Sequence, residues 1–190
     1  MTMPGLIRST TCYLGLMTVL TGLVYPLAVT AVAQSAFPRQ ANGSPVVLDG
    51  AVIGSELIGQ SFTGPGYFHP RPSAAGADGY DAMASGGSNL GVTTQSANQT
   101  ITSRLQAVRI PGTRVPIDLV TASASGLDPH LSPEAALYQA GRVAAARQLR
   151  RERVEQLVRD HVEGPTAGLL GAPRVNVLRL NLALDAQTAD

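Results

Sequence analysis

Charge is absent from one long apolar stretch of the chain, Ser9 to Pro38, with Arg8 before it and Arg39 after. As an α-helix these roughly 30 residues would be about 45 Å long, against about 30 Å of hydrocarbon in a bilayer. Backbone groups in lipid must pair within their own segment, so a lone span has to be helical. Its apolar centre falls at Thr11–Ala33. The pattern predicts a short cytoplasmic N-terminus (1–8), a transmembrane helix (9–36) and an extracytoplasmic domain (37–190). A cleaved signal peptide is the rival reading, because Ala31-Val32-Ala33 has the A-x-A form of a cleavage site. The stretch exceeds the roughly 7–15 residues usual for such a leader. Its positive start is only Arg8 and the amino terminus. Orientation leans on the positive-inside rule, which sets Arg8 plus the amine against Arg39 and favours the amino terminus inside. Either reading puts the large domain outside.

Beyond the anchor the periods change. Phe37–Pro45 reads as a linker. Val46–Leu48 and Ala51–Ile53 flank Asp49-Gly50, a two-residue hairpin turn signal. Ile58–Phe62 extends the strand region. The stretch 64–91 is rich in Gly, Pro, Ser and Ala and lacks apolar periodicity. A loop of that length is uncommon in a compact domain unless it is functional or disordered. The aromatic and Arg anchors within it favour an ordered loop that meets a partner. Thr94–Val108 has helical spacing, and Ile117–Thr121 reads as a short strand. Ser132-Pro133-Glu134 starts a helix, with a side-chain cap, a first-turn proline and an acid near the positive end of the dipole. A second helix follows around Val154, Leu157, Val158 and Val162. In Val175–Leu184 the leucines at 178, 180, 182 and 184 alternate, which predicts a half-buried strand. Helices and strands mix without a βαβ repeat, so the class is an α+β soluble domain preceded by one N-terminal transmembrane helix.

Composition narrows the chemistry more than it supplies any. All 14 basic residues are Arg, and the net charge is +1. That is no nucleic-acid footprint. The single cysteine, Cys12, lies in the anchor, so the outer domain has no thiol chemistry. His69, His130 and His161 lack metal-ligand spacing, and no metal site is expected. Asp128-Pro129-His130 can pair an acid with an imidazole, but no nucleophile accompanies them. No lysine-bearing phosphate loop is present. Ser85-Gly86-Gly87-Ser88-Asn89 offers a backbone nest for an anion, or simply a tight loop. Arg147, Arg150, Arg151, Arg153 and Arg159 read as a solvated helix face.

A series of motifs then carries a resemblance over nearly the whole chain. In order they are Gln40–Ser44, Gly54–Gln60, Gly66-Tyr67-Phe68-His69 with Arg71–Ala74, Ala84–Leu90, Leu119–Asp128 leading into Ser132-Pro133, Ala135-Ala136, Gln139 and Arg142–Ala144, and finally Val175-Asn176 and Leu180–Asp185. The chain resembles the C subunit (KdpC) family of Kdp-type potassium-transporting P-type ATPases. Pro70 departs from the family pattern, where glycine is expected. The resemblance implies a non-catalytic accessory subunit in the plasma (inner) membrane. Its implied partners are a channel-like potassium-binding subunit, an ATP-hydrolysing pump subunit, a small single-span subunit and the lipid bilayer. It implies no tightly bound cofactor. One role attached to the family is assembly of the subunits and cover over the channel entrance. The other is a catalytic chaperone that raises the pump's ATP affinity through a transient ternary complex. For that role the implied nucleotide contacts are Gln139, Ser123, Ser125 and Gly126. Gln139's amide is expected on the helix surface. Partner contacts are expected at Tyr67, Phe68, Arg71, Ser85, Gly86, Gly87, Ser88 and Asn89. ATP contact requires the cytosolic side, which the predicted orientation denies.

Overall fold

A computed structural model describes residues 3–188 and divides the chain into two compact units, residues 1–53 and 54–190. In the first unit, Met3–Ala36 is one continuous helix of 34 residues, long and apolar enough to cross a membrane, and none of its residues is buried. It comprises α1 (Met3–Val19), a π-helical turn (Leu20–Val24) and α2 (Tyr25–Ala36). The wide turn has a local cause. Pro26 lacks an N–H, and its ring crowds the carbonyl four residues back, at Gly22. A single π turn relieves that conflict, and the Tyr25 N–H reaches Leu20 O instead. Thr21 Oγ1 donates to Met17 O at 2.7 Å, so the hydroxyl needs no water.

After the helix, α3 (Pro38–Ala41) makes one short turn where a linker was expected. The hairpin β1 (Pro45–Leu48) and β2 (Ala51–Ser55) follows as predicted. Asp49 and Gly50 both have positive φ, 51° and 79°, which a two-residue turn of this kind requires.

The second unit is a mixed helix and strand domain. Its elements are α4 (Gln95–Val108), a 3₁₀ turn (Ile117–Leu119), β3 (His130–Leu131), α5 (Pro133–Arg147), α6 (Arg151–Asp160), β4 (Val162–Glu163), β5 (Arg174–Asn176) and α7 (Val177–Thr188). Side chains cap α4 and α5, the second as predicted: Thr94 Oγ1 accepts from the Ala97 N–H, and Ser132 Oγ from the Ala135 N–H, each at 3.2 Å. The strands form a small antiparallel sheet in the order β3-β5-β4, with Leu131 and Val162 both opposite Val175. Phe68, Leu131, Val143, Val154, Val158, Val175, Leu180 and Leu184 form the core between α5, α6, α7 and the sheet.

Three stretches expected as strands are not strands over their predicted length. Val175–Leu184 pairs only through Asn176 and then coils into α7. The alternating leucines also satisfy a helical stripe, and Val177, Leu180 and Leu184 are buried at helical spacing. Leucine and alanine favour the helix, and no β-branched residue follows Val177 before Thr188. Asn176 starts it, its Oδ1 accepting from the Arg179 N–H at 3.1 Å. At Ile117–Thr121 a 3₁₀ turn replaces the strand. It is held by Asp118 Oδ2, which accepts from the Ser132 N–H at 2.8 Å. Ile58–Phe62 likewise pairs with no strand.

Candidate functional site

From Gly64 to His69 the backbone is irregular, so no ladder is available to its polar groups, and buried ones must find other partners. Side chains supply them. The His69 ring Nε2 lies 2.9 Å from Gly64 O. Arg142 Nη1 donates to Pro65 O at 2.6 Å, and its Nη2 to Tyr67 O at 3.0 Å. Arg147 Nε donates to Gly66 O at 2.8 Å. Asn181 clamps Phe68 from α7, accepting from its N–H at 2.9 Å and donating to its carbonyl at 3.0 Å. Gln139 does the same to His69 from α5, at 2.9 Å for each bond. Thus each carbonyl from Gly64 to His69 accepts a bond from a side chain.

Gln139 is therefore not where the sequence placed it. Its amide is buried, and Oε1 also accepts from Arg142 Nη2 at 2.7 Å. Phe68 is also displaced from its expected role: its ring is fully buried and serves the core. Tyr67 lies beneath Arg147, whose guanidinium carbon is 4.6 Å from the ring centroid. Its hydroxyl donates to Asp185 Oδ2 at 3.2 Å, and Arg147 pairs with Asp185 Oδ1 at 2.6 Å. Arg147 thus leaves the solvated arginine set, while Arg150, Arg151, Arg153 and Arg159 are exposed.

Arg71, expected to meet a partner, pairs with Asp128 at 3.1 Å, and Asp128 also faces His130 Nδ1 at 3.4 Å. Burial pushes the Asp128 carboxyl up, but bonds from His130 and the charge of Arg71 outweigh it and hold the group below the usual aspartate range. Tyr80 donates its hydroxyl to the Arg71 carbonyl, and burial raises its pKa strongly.

The Gly-rich run is zipped to a second loop. Gly86 N–H donates to Ser125 O at 2.9 Å, and Ser85 Oγ to the same carbonyl at 3.0 Å. The Gly86 amide is thereby engaged, so the run is no open nest at that position. Ser123 Oγ and Ser125 Oγ are 3.4 Å apart, and Ser73 Oγ donates to Gly126 O at 2.6 Å. Gly87 abuts Ala124, while Ser88 and Asn89 are exposed. The structure thus joins Ser85, Gly86 and Gly87 with the 124–126 segment. Gln139 instead lines a cleft of about 310 Å³ with His69, Pro70, Val108, Tyr138 and Arg142. None of Ser123, Ser125 and Gly126 borders that cleft.

Gly126 is the tightest point of the zip. Its φ is +66°, and a Cβ there would sit 2.7 Å from both Ala75 N and Gly86 O. Gly126→Ala is expected to destabilise the chain by about 2–3 kcal/mol, combining left-handed strain with backbone overpacking. Thermal melting checks this, and an unchanged midpoint refutes it.

Burial lowers the His69 pKa below its ordinary 6.5, against the raising effect of Gly64 O, and the Arg142 charge lowers it further. The unfolded chain therefore takes up this proton more readily. The stabilisation is complete above pH 6.5 and declines as pH falls from there toward the folded pKa. His69→Gln is expected to flatten the dependence of melting temperature on pH between 8 and 5, roughly the range in which histidine titrates. Parallel curves for the two proteins would refute the assignment.

The family described as "K+-transporting ATPase, c chain" matches residues 7–186. The chain belongs to the KdpC family. Among relatives described as potassium-transporting ATPase KdpC subunits, that of Nitratidesulfovibrio vulgaris is 61% identical over 166 residues, covering 85% of this chain and 84% of the relative. That of Gemmatimonas aurantiaca is 57% identical, covering 90% and 87%. That of Acidobacterium capsulatum is 54% identical, covering 94% and 97%. In this KdpC chain the motifs that carried the resemblance converge on the same constructions. Gly66–His69 is the clamped segment, and Ala84–Leu90 meets Leu119–Asp128 at the zip. Asn181, Arg142 and Asp185 were not singled out from sequence as functional groups. The available signal was Asn181 itself, an amide within a leucine stripe, where a buried polar group needs partners.

Proposed function

We propose that this chain is a non-catalytic accessory subunit of a potassium-transporting ATPase. Its N-terminal helix joins the channel-like, pump and small single-span subunits, and its α+β domain lies outside and covers the channel entrance. One observation carries the reading: a helix of 34 residues is long and apolar enough to cross a membrane, and none of its residues is buried. Such a span has its entire surface available to lipid and to neighbouring spans. Gly15 and Gly22, seven residues apart on one face, have open space where a side chain would stand. Small residues let helices approach closely in lipid. Gly15→Leu/Gly22→Leu is expected to cut co-purification of the other subunits severalfold while the chain still reaches the membrane. Undiminished co-purification refutes the joining role.

The family-implied ATP contact finds little support in the geometry. The Gln139 amide is engaged with His69 and Arg142, and the chain has no lysine for a phosphate. Gln139→Ala is therefore expected to lower the melting temperature and leave the complex's KM for ATP unchanged. A raised KM at unchanged stability favours the chaperone reading instead. Sidedness has its own test. Met83 is 95% exposed, so Met83→Cys in a Cys12→Ser background should react with an impermeant maleimide in intact spheroplasts. Labelling only after lysis refutes the outside placement.

A further inference from the structure

The hairpin β1–β2 leaves apolar side chains bare. Val47 is 56% exposed, Leu48 50% and Val52 69%. A two-residue turn sets Val47 opposite Val52, so an uncovered valine pair lies on one face. Asp49, in the turn, is the only charged side chain from Ser44 to Ser55. A two-stranded hairpin is marginally stable at best in water unless its apolar faces are covered, and while Val46 and Ile53 on the other face are half-buried, the Val47–Val52 face has no cover among the described residues.

The connection to the spanning helix indicates what covers that face. Only Phe37–Ser44 separates the helix from β1, and that segment is folded rather than slack. Gln34 and Asn42 exchange amide bonds of 3.4 and 3.2 Å, and Asn42 Nδ2 donates to Pro38 O at 2.6 Å. Gly43 N–H reaches Gln40 O and Ser44 N–H reaches Arg39 O, each at 2.9 Å, and Ser44 is buried. The start of the hairpin is therefore fixed close to the helix end, within the same compact unit. The helix is about 51 Å long, more than the about 30 Å of hydrocarbon and close to the about 40–45 Å that includes both headgroup layers. Its last turn consequently ends among the headgroups, where Gln34, Arg39, Gln40 and Asn42 form a polar collar.

We propose that β1–β2 is an interfacial foot. It lies in the headgroup layer of the bilayer that the helix spans, with Val47 and Val52 against the acyl boundary. An amphipathic element in that position sets its apolar face about 5–10 Å into the boundary. Water and headgroups there satisfy the unpaired strand edges, which hydrocarbon would not. The foot is independent of partner subunits and of which way the chain faces, and it rests on the helix spanning the bilayer. Its function is to fix the depth and tilt at which the domain leaves the membrane.

The test uses the full chain in phosphatidylcholine and phosphatidylglycerol vesicles. Val52→Cys, in a Cys12→Ser background, carries a polarity-sensitive fluorophore. Lipids with a nitroxide near the headgroup are expected to quench most of its emission, with aqueous iodide quenching little, and Met83→Cys should show the reverse. Adding Val47→Asp should return iodide quenching at Val52. Strong iodide quenching without lipid quenching overturns the foot. So does loss of lipid quenching in the assembled complex with shielding from both quenchers, which gives the face to a partner subunit. A fluorophore on native Cys12 separates the premises. If lipid nitroxides quench Cys12 but not Val52, the foot alone fails; if they quench neither, the spanning helix fails with it.

Discussion

Replacing Phe68 with alanine is expected to destabilise the chain by about 3–5 kcal/mol, the usual loss for a core aromatic reduced to a methyl group. The ring is fully buried within the cluster that includes Leu131, Val143, Leu180 and Leu184. Domains are stable by only about 5–15 kcal/mol in total, so the variant should melt well below the parent. Phe68→Leu keeps most of the volume and should cost less than half as much. Thermal unfolding in detergent measures both, and equal midpoints for Phe68→Ala and the parent would refute the packing role. The result also bears on docking. Release of a Tyr67→Ala/Phe68→Ala variant from a complex would report lost folding first, so a partner contact at this loop is better tested at exposed Ser88 and Asn89.

Asn181→Leu should be comparably damaging for a different reason. The replacement is close in size and more apolar, so packing alone predicts a small effect. It removes both partners of Phe68, whose N–H and carbonyl would then be buried and unpaired. Each such group costs about 1–3 kcal/mol, so a loss of about 2–6 kcal/mol is expected. Hydrogen exchange distinguishes this from general loosening. The Phe68 amide should lose protection beyond the global change, while that of Val158, in the core of α6, should track it. A protected Phe68 amide in a destabilised variant would refute the clamp.

The span, the Asp49-Gly50 hairpin, the Ser132 cap of α5 and the α+β class were legible because each has a short-range cause in the chain. The end of the domain was not. The leucines from 178 to 184 fit both the period of a strand and the stripe of a helix, and only the Asn176 cap and the lack of β-branched residues separate the two. The loop was harder still. Its partners, Gln139, Arg142 and Asn181, lie about 70–113 residues away in sequence, and no local pattern encodes such pairings. Gln139 appeared as a surface amide because α5 is rich in alanine, and an alanine-rich helix does not reveal which of its polar side chains turns inward.

A loop assembled from remote side chains also has a timetable. The ribosome makes the amino end first, so Gly64–His69 emerges long before the helix that carries Asn181. Until then Phe68 has neither its clamp nor much of its core. Loss of α7, which carries Asn181, would therefore be felt at Phe68, 113 residues earlier in the chain. A chain released early by a premature stop would show newborn-chain quality control an open, aromatic-bearing segment rather than a domain merely shortened at its end.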